Sequence, residues 1–210
     1  RGFTRSVRPG GHVLLCLADP GARSILEEGN ITYGLGQGAD WRAHDWRPNP
    51  SGGYDFEVTS CGQDYASFSS PLAGLHNVSN AVAAIAAGNL AGVPPEAMAR
   101  AVACFGGVAR RFQTKGEAAG IIIVDDYAHH PTEIRATLRA ARERFGSKRL
   151  VCLFQPHTYS RTKLLMDDFA DAFGEADLVL IADIYAAREV NTYGVTSADL
   201  AAALKHPQAR

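Results

Sequence analysis

The sequence predicts an α/β fold in two parts, the second of them built on a parallel, doubly wound sheet. Three observations carry that expectation. From residue 120 onward, near-continuous Val/Ile/Leu runs alternate three times with helix-length polar stretches, as strands covered on both faces do. Before residue 106 the apolar pieces are shorter and broken by Gly, Pro and Asn. The whole chain of 210 residues is 46% hydrophobic and 20% charged, a globular composition long enough for one large domain or two small ones.

GHVLLCLA (11–18) is an apolar run ahead of DPGARSILEEG, which reads as turn, short helix and Gly stop, one half of an α/β unit. NITYG (30–34), DWRAHDW (40–46) and YDFEVTS (54–60) follow as short strands with antiparallel members expected. SSPLAGLHNVSNAVAAIAAGNLAG (69–92) is an Ala-rich helical stretch, and Pro94–Pro95 open another helix through about Ala103. FGGVARRFQTKGE (105–117) changes character to glycines, arginines and a polar strand, which puts a domain boundary near Gly106–Gly107. Strand GIIIVDD (120–126), helix PTEIRATLRAARERFG (131–146), strand RLVCLF (149–154), helix TYSRTKLLMDDFADAFG (158–174), strand DLVLIAD (177–183) and helix SADLAAAL (197–204) complete the chain.

Charge and composition narrow the function. Lys and Arg number 21 against 22 Asp and Glu, a formal net charge of −1, which gives no general drive toward nucleic acid or an acidic membrane. Runs such as AVAAIAA and GIIIV fall short of the ~20 residues that a spanning helix needs. Cysteines 16, 61, 104 and 152 are too scattered for a zinc site or a disulfide framework, and Cys16 and Cys152 read as reduced thiols inside strands. No signal peptide opens the chain, so a cytoplasmic location is expected. The start at RGFTRSVRPGG without Met and the stop at KHPQAR read as a piece of something longer.

Ligands of open parallel sheets collect outside the carboxyl ends of the strands. There the sequence places DDYAHHP (125–131), FQPHTYSRT (154–162) and ADIYAARE (182–189), three polar loops where turn formers alone would serve. In DDYAHHP the carboxylates suit ribose hydroxyls, while His129–His130 suit an anion or amine. Metal binding by that pair is disfavoured, because neighbours on an extended chain point opposite ways. FQPHTYSRT brings His157, Tyr159, Ser160 and Arg161 to a helix start. That fits a carboxylate-bearing substrate or simple capping by Thr158 or Ser160. A Ser–His hydrolase reading is weak without a GxSxG elbow. In HNVSN (76–80), Asn77 and Asn80 share one helical face, suited either to the amide-matching edge of adenine or to helix capping. GVARRFQ (107–113) offers arginines to a phosphate or to solvent. Neither GxxxxGK[ST] nor GxGxxG occurs, so no phosphate-cradling loop lies in these residues.

HNVSNAVAAIA, GVARRFQ, DDYAHHPTEI, FQPHTYSRT and ADIYAARE, in this order and spacing, resemble the Mur ligases, the ATP-dependent amide-forming enzymes of peptidoglycan synthesis. The pairing of DDYAHHP with FQPHTYSRT most resembles the branch that adds the first amino acid. The resemblance implies that residues 1–106 are the C-terminal part of a P-loop-type central ATPase domain. It implies that 107–210 are most of a Rossmann-like C-terminal ligase domain. It implies ATP and Mg²⁺ as cofactors, the metal ligands and P-loop lying upstream and no metal site in this chain, with UDP-N-acetylmuramate and L-alanine as substrates joined through an acyl phosphate.

By the same resemblance, His76, Asn77 and Asn80 bind adenine, Arg111 reaches the ATP phosphates across the domain gap, and Asp126 takes the ribose hydroxyls. Tyr127, His129, His157 and Arg161 line the L-alanine and acyl-phosphate region, with the catalytic roles on Arg111 and His129. Position 158 departs from the pattern, carrying Thr where some members carry Arg. Two other readings stay open: another Mur-type ligase, such as one that recycles murein tripeptide, or a nucleotide-binding module without turnover. Missing leading strands would leave the first part with an exposed sheet edge, so 107–210 is expected to be the better-folded unit.

Overall fold

A computed structural model describes Gly2 and residues 4–209. The chain divides into two compact units, Arg1–Gly106 and Gly107–Arg210.

The first unit carries β1 (Leu14–Cys16), α1 (Pro20–Arg23), β2 (Ile31–Gly34), β3 (Trp41–Pro48), β4 (Tyr54–Ser60), β5 (Gln63–Ser70), α2 (Leu75–Leu90) and α3 (Pro95–Cys104). Its sheet runs β1-β2-β3-β4-β5, parallel over the first two pairings and antiparallel over the last two. Strand β5 is a finding beyond the sequence reading, because QDYASFSS has few of the residues that mark a strand. It forms because Ser60 pairs with Gln63 across a two-residue turn, Cys61 (φ 49) and Gly62 (φ 79). Positive φ at both centres matches the right-handed twist of a hairpin. Alternate residues Trp41, Ala43, Tyr54, Phe56 and Val58 face one way and pack against Val78, Val82, Ile85 and Ala86 of α2. That packing holds the start of α2, and the HNVSN motif with it, against the sheet.

The second unit carries β6 (Gln113–Ala118), β7 (Ile121–Asp125), α4 (Pro131–Phe145), β8 (Val151–Phe154), α5 (Tyr159–Leu164), α6 (Met166–Ala170), β9 (Leu178–Ile181) and α7 (Ser197–Ala203). Its core gathers Ile134 and Leu138 of α4 with Phe154, Phe169, Phe173, Val179 and Leu200. The helix expected over 158–174 is two short helices, broken at Leu165 (φ −110, ψ 21). The break turns Phe169 and Phe173 onto Phe154, with ring centroids 5.6 and 5.4 Å apart. Arg142, at the end of α4, binds Asp177 (2.9 Å) and the carbonyl of Glu175 (2.7 Å), and Asp177 accepts the Leu150 N–H (2.7 Å). This anchor joins the end of α4 to the starts of β8 and β9.

Strands β8 and β9 pair in parallel from Val151↔Leu178 to Phe154↔Ile181, and β7 pairs antiparallel with β6. Among the described residues β7 and β8 share no ladder. A cavity of about 1310 Å³, lined by Ile121, Ile123, Val151, Leu153, Leu138 and Phe145 among others, lies between them. Ile121 and Leu153 are consequently 67% and 73% exposed. The continuous sheet belongs to residues 1–106 and two two-stranded sheets to 107–210, a pattern that does not by itself favour the second half as the better-folded unit.

Candidate functional site

In the first unit, the cap of α2 is Gly74 (φ 88), with no side-chain cap hydrogen bond, so neither asparagine caps the helix. Asn77, in the first turn, donates Nδ2 to the Ala73 carbonyl at 2.8 Å. Asn80, one turn on, donates to Oδ1 of Asn77 at 3.4 Å. The two amides therefore sit on one face, as their spacing requires. Asn80 is exposed and His76 half-buried beside them.

In the second unit, the three strand-end loops come together. The rings of Tyr127 and His129 are 5.6 Å apart, His129 and His157 6.2 Å, and His157 and Tyr185 5.5 Å. Each loop contributes to that row, and Arg161 joins it through His157 at 3.2 Å. Backbone bonds set the row: Thr158 N–H donates to Tyr185 O (2.9 Å), and Tyr185 N–H donates to Pro156 O (2.8 Å). The His129 Nδ1–H donates to the Tyr127 carbonyl at 2.9 Å, while His130 Nδ1 accepts the Thr132 N–H at 3.3 Å. The two adjacent rings are thus tied to different backbone partners.

Arg111 stands between two left-handed residues, Arg110 (φ 60) and Phe112 (φ 48), the kind of backbone that persists only where its surroundings fix it. Its Nη1 donates to Glu133 at 3.4 Å. Arg110 lies over the Tyr127 ring at 4.7 Å and 3.5 Å from Asp125, a cation–π contact backed by an ion pair. Asp126 accepts the N–H groups of Phe112 and Ala128, both at 2.7 Å. Each of its oxygens keeps a second lone pair for a further donor.

Glu133 was not singled out by the sequence reading, although PTE after His130 spells a capping box. It accepts the N–H of His129 (3.0 Å) and of His130 (3.2 Å) as well as Arg111. Burial pushes its carboxyl up, but the His129 N–H, the His129 charge and the Arg111 bond outweigh that and leave it below the usual range. Glu189 was missed likewise, because nothing in ADIYAARE marks it locally. It accepts the Ser160 N–H at 2.9 Å and the Ser160 hydroxyl. The Ser160 bonds, with Arg161 nearby, lower its carboxyl below the ordinary value.

Two expectations change here. The start of α5, offered by the sequence to a bound anion, is taken by the chain's own Glu189. The Ser160 hydroxyl also points to Glu189, while His157 Nδ1 takes Arg161, so the hydrolase pairing does not form. Thr158, at the unusual φ of 69°, caps α5 by accepting the Arg161 N–H at 3.4 Å. All four cysteines are free, Cys16 and Cys152 being half-buried, and burial pushes the Cys152 thiol up to about 11. Among the described residues no three His, Cys, Asp or Glu side chains gather to hold a metal ion. No described helix is long and apolar enough to cross a membrane.

The Mur ligase middle domain matches residues 2–88, and the Mur ligase glutamate ligase domain matches residues 110–210. The UDP-N-acetylmuramate–L-alanine ligase of Caldanaerobacter subterraneus subsp. tengcongensis is 43% identical over 203 residues, covering 95% of this chain and 44% of the relative. That of a strain of Anaeromyxobacter dehalogenans is 45% identical over 200 residues, covering 93% and 43%. The crystal structure of UDP-N-acetylmuramate–alanine ligase from Thermotoga maritima superposes with a TM-score of 0.68 at 30% identity, over 83% of this chain and 38% of that one. A murein peptide ligase from Psychrobacter arcticus gives 0.58 at 28% identity, over 81% and 37%. The chain spans less than half the length of these relatives.

Proposed function

Because this chain belongs to the Mur ligase family and carries its middle and glutamate ligase domains, we propose that it is the adenine- and amino-acid-binding portion of an ATP-dependent ligase joining L-alanine to UDP-N-acetylmuramate. The observation that carries this reading is the row Tyr127–His129–His157–Tyr185 with Arg161 at its side, drawn from three strand-end loops. In that reaction the muramyl carboxylate becomes an acyl phosphate at the expense of ATP. The amine of L-alanine then adds to the acyl carbon, and phosphate leaves with the C–O bond.

Each residue has a part in this reading. Asn77 and Asn80 present donor and acceptor atoms to adenine, with His76 beside them. Asp126 uses its remaining lone pairs for ribose hydroxyls, and Arg111, whose Nη1 is tied to Glu133, turns its other N–H groups to phosphate. Arg161 takes the L-alanine carboxylate, and Tyr127, His129 and His157 enclose the amine and acyl phosphate. Positioning and charge stabilisation do most of the work. By the family resemblance, Mg²⁺ would be held by residues outside this chain. No GxxxxGK[ST] loop to cradle the β- and γ-phosphates occurs in residues 1–210, so these residues alone should not turn over ATP.

The test is phosphate release by the full-length protein that carries these residues. It should require UDP-N-acetylmuramate, L-alanine and ATP–Mg²⁺ together. Turnover only with a murein tripeptide in place of L-alanine would assign the recycling ligase instead. No turnover with either would leave a nucleotide-binding module.

A further inference from the structure

The ADIYAARE loop brings Tyr185 into the row of rings, yet its last residue has no part in the function derived so far. Glu189 is half-buried and sits at the end of a turn closed by its own N–H on the Ala186 carbonyl (3.0 Å). Ala187 in that turn is left-handed at φ 53. On the other side, the FQPHTYSRT loop passes through Thr158 at φ 69 before α5 begins. Two residues without a glycine's freedom are therefore held in sparsely populated backbone on either side of one contact. That contact is the Glu189 carboxylate, which accepts both the N–H and the hydroxyl of Ser160. Arg161, the next residue, is set by the same turn, and its guanidinium lies against His157 at 3.2 Å.

We propose that Glu189 is a positioning residue for the amino-acid pocket: its carboxylate pins the first turn of α5 through Ser160 and thereby aims Arg161. The inference rests on the reading that Arg161 binds the L-alanine carboxylate. A carboxylate suits this role because it accepts two donors at once and needs no partner of its own. It also balances the Arg161 charge without forming a direct pair that would block the guanidinium. The loop after β9 thus acts on the substrate only through the loop after β8.

In the full-length ligase, Glu189→Ala should raise the KM for L-alanine about tenfold, the loss of roughly one charge-assisted contact, with the KM for ATP unchanged within about twofold. Glu189→Asp, which keeps the charge, should recover part of the loss. Combined with Arg161→Ala, the Glu189 substitution should add little, because its effect passes through that guanidinium. A lowered kcat at unchanged KM, or additive effects, would mean a structural role and overturn the proposal. If Glu189→Ala does not fold, Glu189→Gln with the amide resonance of Ser160 in the 1–210 chain decides the matter. The signal should move and exchange faster in the variant; an unmoved Ser160 amide would overturn the contact itself. Should Arg161→Ala leave the KM for L-alanine untouched, the reading of the pocket fails, not the contact.

Discussion

Nη1 of Arg161 lies 3.2 Å from Nδ1 of His157. A guanidinium only donates, so Nδ1 of that ring must be the acceptor and its proton must sit on Nε2. The contact fixes the tautomer facing the row of Tyr127, His129 and Tyr185, and the imidazole in turn limits where the guanidinium points.

Removing that ring should loosen Arg161 without touching the adenine site. For His157→Ala in the full-length ligase, the KM for L-alanine is expected to rise roughly three- to tenfold, the range of one lost hydrogen bond, and the KM for ATP to stay unchanged. Steady-state kinetics with each substrate varied in turn checks this. An equal rise in both constants would place His157 elsewhere.

Glu133 links Arg111 to the His129 loop, so its loss should register in stability as well as activity. Its carboxyl is held below the usual range by the His129 N–H and its other donors, against the opposing effect of burial. A depressed folded-state value means that the contribution is complete above the ordinary glutamate value and is lost as pH falls through the lower folded one. Glu133→Ala should therefore cost about 1 kcal/mol at neutral pH, as the loss of a capping box does. The difference from wild type should shrink on acidification. Denaturant midpoints of both proteins across that pH range test it, and a gap that widens toward acid would contradict the assigned contacts.

The divided sheet of the second unit predicts where the chain opens first. Residues 1–106 keep five strands in one ladder, whereas Ile121 and Leu153 face the cavity between β7 and β8. Unpaired strand edges and exposed apolar side chains mark low local stability. Limited trypsin digestion of the chain should cut first after residues bordering that cavity, such as Lys115, Lys148 or Arg149, and the 1–106 fragment should outlast the rest. Equal survival of both halves would argue against it.

Much of this was legible in the sequence, for reasons that differ by element. The runs GIIIVDD, RLVCLF and DLVLIAD announced β7, β8 and β9 because buried strands are continuously apolar. Their three polar termini announced loops that converge on a site, although Tyr185, which joins His157 at 5.5 Å, was not singled out. Strand β5 was not legible, because its alternation is carried by serines and a two-residue turn centred on Cys61 and Gly62. Glu189 was missed because its partner comes from outside its own motif, Ser160 reaching it from 29 residues away. Glu133 has local partners in His129 and His130, and only its bond to Arg111, 22 residues away, was beyond the motif. The missing ladder between β7 and β8 was not legible either, because nearest-neighbour patterning gives strands but not the order in which they pair.

The central claim is that one set of residues holds the nucleotide and another holds the amino acid. It is tested most directly by measuring the KM for ATP and for L-alanine in Asn80→Ala and Arg161→Ala forms of the full-length ligase. Adenine does not change during the reaction, so Asn80→Ala should raise the KM for ATP with a modest loss of kcat. Arg161→Ala should raise the KM for L-alanine by roughly 10–100-fold, about 1.5–3 kcal/mol of charge-assisted hydrogen bonding, and leave that for ATP nearly unchanged. An Arg161→Ala enzyme weakened toward ATP and indifferent to L-alanine would contradict the assignment of the FQPHTYSRT loop.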